Sequence, residues 1–93
     1  MNEIVFDWDQ WNIQKNEIKH GISAFEAESV FYDESHKIFL DIKHSLNEKR
    51  YILYGKSIYH KILMLAFTVR NTKVRIISAR VASKKERTIY EKN

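Results

Sequence analysis

The spacing of apolar residues changes near residue 35 of this 93-residue chain, and that change restricts the folds it can adopt. Before this point apolar residues recur at helical intervals, whereas beyond it apolar and polar residues alternate as they do in β-strands. A helix-capping pattern near the C-terminus then starts another helix. We therefore predict an α+β fold, in which an antiparallel sheet of about four to five strands carries two N-terminal helices and one C-terminal helix.

The first helix is delimited by residues that suit helix caps. Asp9 suits the N-cap and Gly21 suits a left-handed C-cap, which predicts a helix that runs to His20. Trp8 and Trp11 lie near its apolar stripe. We interpret both tryptophans as core anchors rather than as a platform on which bases stack.

Two capping-box patterns predict where the other two helices start. Ser23 with Glu26 starts the second helix, and Ser83 with Glu86 starts the C-terminal helix. The predicted strands cover residues 3–7, 38–42, 50–54, 61–69 and 73–82. The strand at 50–54 is interrupted at Gly55, which suggests a turn or a bulge there.

The composition indicates one globular domain that spans residues 1–93. Proline and cysteine are absent, and no repeat, linker or low-complexity tract breaks the pattern. Without cysteine there are no disulfides or thiolate metal sites, and the four histidines lack the spacing of a helical metal motif. No apolar run is long enough to span a bilayer, and the N-terminus does not look like a signal peptide. We expect a cytoplasmic protein with no metal, no cofactor and no membrane association.

Positive charge is concentrated towards the C-terminus. Residues 70–93 contain eight basic and two acidic residues, a net charge of +6, so the rest of the chain carries −2 of the overall +4. A basic pole favours polyanionic partners such as RNA, although a solvated surface of lysines and arginines gives the same count. Our candidates for RNA binding are Arg75, Lys84 and Lys85, together with Lys19 at the end of the first helix.

Four residues near the C-terminus are candidates for catalysis. Arg80 lies near the end of the last strand, and Glu86, Arg87 and Tyr90 have related positions on the next helix, so these side chains are expected to converge. Metal-free RNA cleavage needs a base for the 2′-hydroxyl, a cation for the phosphate and an acid for the leaving oxygen. Arg80 suits the cation, and Tyr90 suits the acid or stacks on a base. Glu86 or a histidine suits the base, and His20 completes the candidate catalytic set.

These residues also allow plainer interpretations. Arg80 and Glu86 suit an ordinary surface ion pair, with Tyr90 packed on the sheet. Arg75 lies five residues before Arg80, so the two point to opposite faces of a regular strand unless a bulge intervenes.

Polar residues in the middle of the chain receive structural interpretations. His44 lies in a predicted turn, which leaves a functional role open to it, although histidines in loops are usually solvated. Glu48 and Arg50 flank the start of a strand and suit a cross-strand ion pair.

Along almost its whole length the chain resembles the BrnT family of toxins. The resemblance rests on residues 6–9, 16, 19–22, 25–27, 30–33, 41, 44–45, 48, 50–51, 55, 75–80, 85–87 and 90. Each segment, such as Arg-Ile-Ile-Ser-Ala-Arg at 75–80, is a weak signal alone, but their order and spacing together are specific.

The resemblance implies a RelE-like fold and a ribonuclease activity that blocks translation. It also implies neutralisation by a BrnA-type antitoxin in a hetero-oligomer. Such antitoxins carry a ribbon-helix-helix part, so operator DNA would be bound only through the antitoxin. The alternative function is a non-catalytic basic module that acts as an antitoxin-bound co-repressor.

Overall fold

Three helices and four strands are found in residues 3–92, which are the residues that the computed structural model describes. In chain order they are α1 (Gln10–His20), α2 (Ala24–Ser29), β1 (Lys37–Leu40), β2 (Tyr51–Lys56), β3 (Ile62–Arg70), β4 (Lys73–Val81) and α3 (Lys84–Glu91), with short 3-10 helices at Val30–Tyr32 and Ile42–His44. This order confirms the predicted α+β fold. Across residues 3–92, every helix is too short or too polar to cross a bilayer.

The four strands form one antiparallel sheet in the order β1-β2-β3-β4. One side of the sheet, which we call the core face, lies in the hydrophobic core of the chain. The core contains Ile22, Ala27, Val30, Phe31, Leu53, Leu63, Leu65, Phe67, Ile76 and Ala79. Residues that pair directly across strands project to the same side, so Tyr54, Met64 and Arg80 form a row on the opposite side. We call that side the second face.

The predicted strand at residues 3–7 is reduced to a single bridge. Phe6 pairs in parallel with Val74 at the start of β4. The Asp7 amide donates to the Val74 carbonyl over 2.8 Å, and the Val74 amide donates to the Val5 carbonyl over 2.9 Å. The segment therefore covers only one end of β4, and the prediction of a full strand is wrong.

Local capping residues fix α1 as the sequence predicts. The Asp9 carboxylate accepts a hydrogen bond from the Trp11 amide over 2.9 Å, and Gly21 ends the helix at φ 67°. Trp8 packs against the core, but Trp11 is 70% exposed, so its prediction as a core anchor is wrong. The reason is that the backbone of Asp9, the N-cap, is extended. Trp8 lies before this residue and Trp11 lies inside the helix, so helical spacing does not place them on one face.

The capping box predicted for α2 is only half formed. The Ser23 hydroxyl accepts from the Glu26 amide over 3.1 Å. The Glu26 carboxylate does not reach back, because it is buried and accepts a hydrogen bond from the Ser57 hydroxyl over 2.8 Å. A long-range contact thus replaces the local one and attaches α2 to the turn between β2 and β3.

Asn16 connects α1 to the outer edge of the sheet. Its buried side-chain oxygen accepts a hydrogen bond from the Ala79 amide of β4 over 3.2 Å. An edge strand leaves such amides without a neighbouring strand, and a buried amide needs a partner. Asn16, one of the residues that carry the family resemblance, therefore has a structural role.

Candidate functional site

A β-bulge decides which arginines share a surface. Between β3 and β4 the register shifts, so that Ile77 is an extra residue on β4. Arg75 pairs with Thr68, and Arg80 pairs with Met64, four residues away on β3. Thr68 and Met64 are an even number of residues apart on β3 and therefore face the same side of the sheet. The side chains of both arginines accordingly project from the second face. The structure thus contains the bulge that the sequence argument requires.

Arg80 and Glu86 form a two-pronged ion pair at the junction of β4 and α3. Two guanidinium nitrogens of Arg80 donate to the two Glu86 carboxylate oxygens over 2.8 and 2.9 Å. The Ser83 amide donates to the same carboxylate over 2.8 Å, which completes the predicted capping box of α3. The side chain of Arg80 is 37% exposed and that of Glu86 is 15% exposed. Glu86 therefore holds both the helix end and the arginine.

The ion pair changes the proton affinity of the carboxylate. Hydrogen bonds from Arg80 outweigh the effect of burial and hold the pKa of Glu86 below its ordinary value of 4.5. Both of its oxygens are occupied by donors. These contacts make Glu86 a weak proton acceptor and suit it to positioning Arg80.

We expect Glu86 to make the stability of the fold depend on acid. A lowered folded-state pKa stabilises the fold fully above the ordinary value of 4.5, and this contribution is lost as the pH falls through the folded pKa. The Glu86→Gln variant should be less stable than wild type by about 1 kcal/mol at pH 7, the size expected of a partly exposed pair. Urea unfolding measured from pH 7 down to about pH 2 should show this difference shrinking.

The matched control is Glu91→Gln, which removes an exposed carboxylate from the same helix. It reports the general effect of losing one negative charge from α3. A difference between wild type and Glu86→Gln that stays constant with pH would contradict the role assigned to the ion pair.

Tyr90 anchors α3 to the segment before β1. Its hydroxyl donates to the Asp33 carboxylate over 2.6 Å, and the same carboxylate accepts from the Lys56 amide over 2.8 Å. Burial, together with the hydrogen bond to Asp33, raises the pKa of Tyr90 to about 12. The expected convergence of four side chains therefore reduces to Arg80 and Glu86, because Tyr90 contacts Asp33 and Arg87 is exposed to solvent.

The remaining candidates lie apart from one another. Arg75 is 3.4 Å from the carboxylates of both Asp7 and Asp9. Lys84 and Lys85 are exposed in the first turn of α3. Lys19 and His20 lie in the last turn of α1, a helix that packs along β4. Among the described residues, no side-chain hydrogen bond joins His20 to the Arg80–Glu86 pair.

A cleft that the sequence pattern does not predict lies beneath the loop between β1 and β2, residues 41–50. β1 ends at Leu40, and the chain then turns through a short 3-10 helix, so that Ile42 is 79% exposed rather than part of a strand. The cleft has a volume of about 380 Å³ and is lined by Lys43, His44, Leu46, Asn47, Glu48, Arg50, Thr68 and Ile77. Because Thr68 lies on the second face, the cleft opens on the same side of the sheet as Arg80.

The polar groups of the cleft have unexpected partners. The His44 Nδ1 atom lies 2.8 Å from an Asp41 carboxylate oxygen. Glu48 accepts two hydrogen bonds from Arg70, over 2.7 and 3.0 Å, so it does form a cross-strand ion pair, with Arg70 of β3 rather than with Arg50. Arg70 lies at the end of β3, and only the folded chain brings it to Glu48. The sequence signal for the cleft is the cluster of Asp41, His44, Glu48 and Arg50 within ten residues.

Comparisons with known proteins were consistent across sequence and structure. Residues 8–86 match the family model described as the ribonuclease toxin BrnT of type II toxin–antitoxin systems. The crystal structure of the Brucella abortus ribonuclease toxin BrnT is similar, with a TM-score of 0.66 and 24% identity, over 88% of this chain and 100% of that one. No match was found among curated proteins. The structural likeness confirms the fold, and the family match covers most of the chain.

Proposed function

The chain belongs to the BrnT family of ribonuclease toxins of type II toxin–antitoxin systems, and from this membership we propose that it cleaves RNA on its second face without a metal ion. Cleavage of RNA by this protein stops translation and arrests growth. Its site of action is the cytoplasm, where messenger RNA is translated. A BrnA-type antitoxin binds the protein in a hetero-oligomer and neutralises it.

The bulge at Ile77 is the observation that carries this proposal. It turns Arg80 to the same side of the sheet as the cleft beneath the 41–50 loop. Arg80, a cation that suits phosphate, and the titratable groups of the cleft therefore lie on one surface. RNA cleavage requires both kinds of group together. Phe39 of the edge strand β1 pairs with Ile52 and lies on the second face. The residue is 46% exposed, and its ring is available to stack on a nucleobase.

Arg80 acts on the phosphate in this proposal, and Glu86 positions it. A guanidinium has five N–H donors. Glu86 takes two of them, and the Val81 carbonyl accepts a weaker bond over 3.3 Å. The remaining donors are available to phosphate oxygens, and Glu86 holds the group in one orientation.

Exposed cations along α3 extend the RNA-binding surface. Lys84, Lys85 and Arg87 are exposed on this helix. The helix lies over the edge of the second face, because the Lys37 side chain of β1 donates to the Ile89 carbonyl over 2.8 Å. Backbone phosphates bound by these cations would orient the RNA without selecting its sequence. Tyr90 keeps α3 in place, and Lys19 and His20 lie outside the proposed surface.

The antitoxin covers the exposed edge of the sheet in our proposal. β1 is an edge strand, and its consecutive residues Ile38, Phe39 and Leu40 are each nearly half exposed. Edge strands with apolar side chains pair readily with a partner segment. The ribbon-helix-helix part of the antitoxin supplies the contact with operator DNA.

The test is cleavage of a defined RNA by the purified protein in the presence of EDTA. We expect discrete products that are absent when the antitoxin is added in excess. Intact RNA that is nevertheless retarded in a native gel would instead support the alternative function, a non-catalytic binding module. The salt dependence of binding does not separate the two functions, because both neutralise phosphates.

A further inference from the structure

The 41–50 loop holds a histidine against a fixed carboxylate. His44 Nδ1 lies 2.8 Å from Asp41, whose side chain is 14% exposed, whereas the His44 side chain is 55% exposed. An ionised carboxylate only accepts hydrogen bonds, so Nδ1 carries a proton, and in the neutral ring Nε2 is then the atom with the free lone pair. General bases in enzymes are commonly arranged in this way, with a solvent-accessible proton acceptor that a carboxylate orients.

The backbone around Asp41 is fixed independently of its carboxylate. The Asp41 amide donates to the Arg50 carbonyl over 2.8 Å, which joins the two ends of the loop. The Asp41 carbonyl accepts from the Ser45 hydroxyl over 2.6 Å. The carboxylate is therefore left to contact His44, and its substitution by an amide does not remove the bonds that shape the loop.

The cleft beside His44 has the size and the charge for a nucleotide. Its volume of about 380 Å³ lies within the usual range of small-ligand sites. Lys43, Glu48 and Arg50 are its charged lining residues. Hydrogen bonds from Arg70 hold the pKa of Glu48 below its ordinary value, so this carboxylate is a poor base.

Arg50 is an arginine of the cleft that is available to a phosphate. The guanidinium groups of Arg70, Arg75 and Arg80 each contact a carboxylate. Within residues 3–92, no carboxylate lies within ion-pair distance of Arg50. An arginine without a carboxylate partner beside an oriented histidine favours an anionic substrate.

The other histidines do not combine these features. His36 bonds through Nδ1 to the Asp33 backbone carbonyl over 2.7 Å. His60 lies in the turn between β2 and β3, and His20 lies at the end of α1. Of the four histidines, all within the described residues, His44 is the one that lines the cleft.

We propose that His44 is the general base of the RNA cleavage described above and that Asp41 is its positioning residue. This assignment rests on the proposed ribonuclease function. The Nε2 atom of His44 takes the proton of a ribose 2′-hydroxyl, and the 2′-oxygen forms a bond to the adjacent phosphorus. The bond from phosphorus to the 5′-oxygen breaks, the 5′-oxygen takes a proton from water, and His44 returns its proton to the solvent. The products are a 2′,3′-cyclic phosphate and a 5′-hydroxyl.

Cations of the cleft act together with Arg80 on the charge that builds up on phosphorus. Arg50 and Lys43 lie beside His44 in its lining. Both are positioned to stabilise the crowded phosphate as its negative charge increases. The cleft thus contains a base and cations within one loop.

The test compares two histidine variants in steady-state cleavage of a defined RNA. In His44→Asn, the amide group can still donate to Asp41, but the Nε2 base is lost. We expect kcat to fall by roughly 10²–10⁴-fold, as for other general bases, with KM changed by less than about threefold. The matched control, His60→Asn, changes an exposed histidine outside the cleft and should keep its rate within about twofold.

Two further measurements separate catalysis from structural support. Added imidazole should restore part of the activity of His44→Ala, because the solvent-exposed position leaves room for a free base. Asp41→Asn should lower kcat by roughly tenfold or more with little change in KM, and Asp41→Glu should recover part of that loss.

Each outcome has a distinct meaning. If the wild type cleaves RNA and a folded His44→Asn has the same kcat, the assignment of His44 is overturned. The ribonuclease function is then left intact. Products with 5′-phosphate and 3′-hydroxyl ends would also overturn the assignment, because such ends do not arise from attack by the 2′-oxygen. A wild-type protein that leaves RNA intact would overturn the proposed function and this assignment together.

Discussion

An Arg80→Ala variant should lose roughly two to three orders of magnitude in RNA cleavage while it keeps its fold. This is the usual effect of removing one preorganised donor that stabilises charge in a transition state. The fold should survive because the Arg80–Glu86 pair is partly exposed, and such pairs contribute about 1 kcal/mol or less. Glu86 also keeps its hydrogen bond from the Ser83 amide, so α3 remains capped.

The experiment measures kcat/KM on a defined RNA and the circular dichroism of each variant. Arg80→Lys keeps the charge but loses the two-pronged contact with Glu86, so we expect an intermediate rate. Lys73→Ala is the control, because it removes one exposed positive charge from the same strand. A folded Arg80→Ala with wild-type kcat/KM would contradict the role given to Arg80.

Gly55→Val should prevent the chain from folding, and Gly55→Ala should cost about 2–3 kcal/mol of unfolding free energy. A Cβ atom at Gly55 would lie 2.9 Å from the Val30 Cβ and 3.0 Å from both the Val30 carbonyl oxygen and the Leu53 Cδ2. Val30 and Leu53 are fully buried, and one of the contacts is with backbone, so the neighbours have little room to move.

The chain's other glycine provides the matched control for this effect. Gly21 has open space where a Cβ would lie, but its φ is 67°. Gly21→Ala should therefore cost only about 1 kcal/mol, the penalty of a left-handed backbone for alanine. Urea unfolding of both alanine variants measures the two costs, and a larger loss at Gly21 than at Gly55 would contradict the close approach of Val30 to β2.

Gly55 also illustrates what the sequence can predict about the fold. The alternating pattern predicts the strand, but a glycine in that pattern favours an interruption at residue 55. In the structure Gly55 lies inside β2 and pairs with Leu63. The reason for a glycine there is the backbone at Val30, which lies 25 residues earlier in the chain and which no local pattern reveals.

Local contacts of the site can be predicted from the sequence, whereas contacts between distant parts of the chain cannot. The caps at Asp9 and Ser83 were predicted correctly, because each involves a residue and an amide two or three positions later. The bond from Tyr90 to Asp33 and the bond from Arg70 to Glu48 were not predicted, since their partners are 57 and 22 residues apart. Contacts over such separations depend on strand register, which the sequence pattern leaves open.

Whether Arg75 and Arg80 share the second face depends on one residue, Ile77. Arg75 and Arg80, five residues apart, share a face only if a bulge intervenes, but the strand pattern does not specify where an extra residue lies. The bulge at Ile77 fixes both arginines on the side of the cleft. The cleft itself combines a loop with Thr68 of β3, so it becomes visible only after folding.

RNA integrity after induced expression is the decisive measurement of ribonuclease activity in this protein. Total RNA and growth are followed for cells that produce the wild type or Arg80→Ala, each with and without the candidate antitoxin. We expect RNA decay and growth arrest with the wild type alone, and rescue by the antitoxin. Intact RNA and normal growth in cells that contain soluble, folded wild-type protein would contradict this expectation and would favour the non-catalytic binding module.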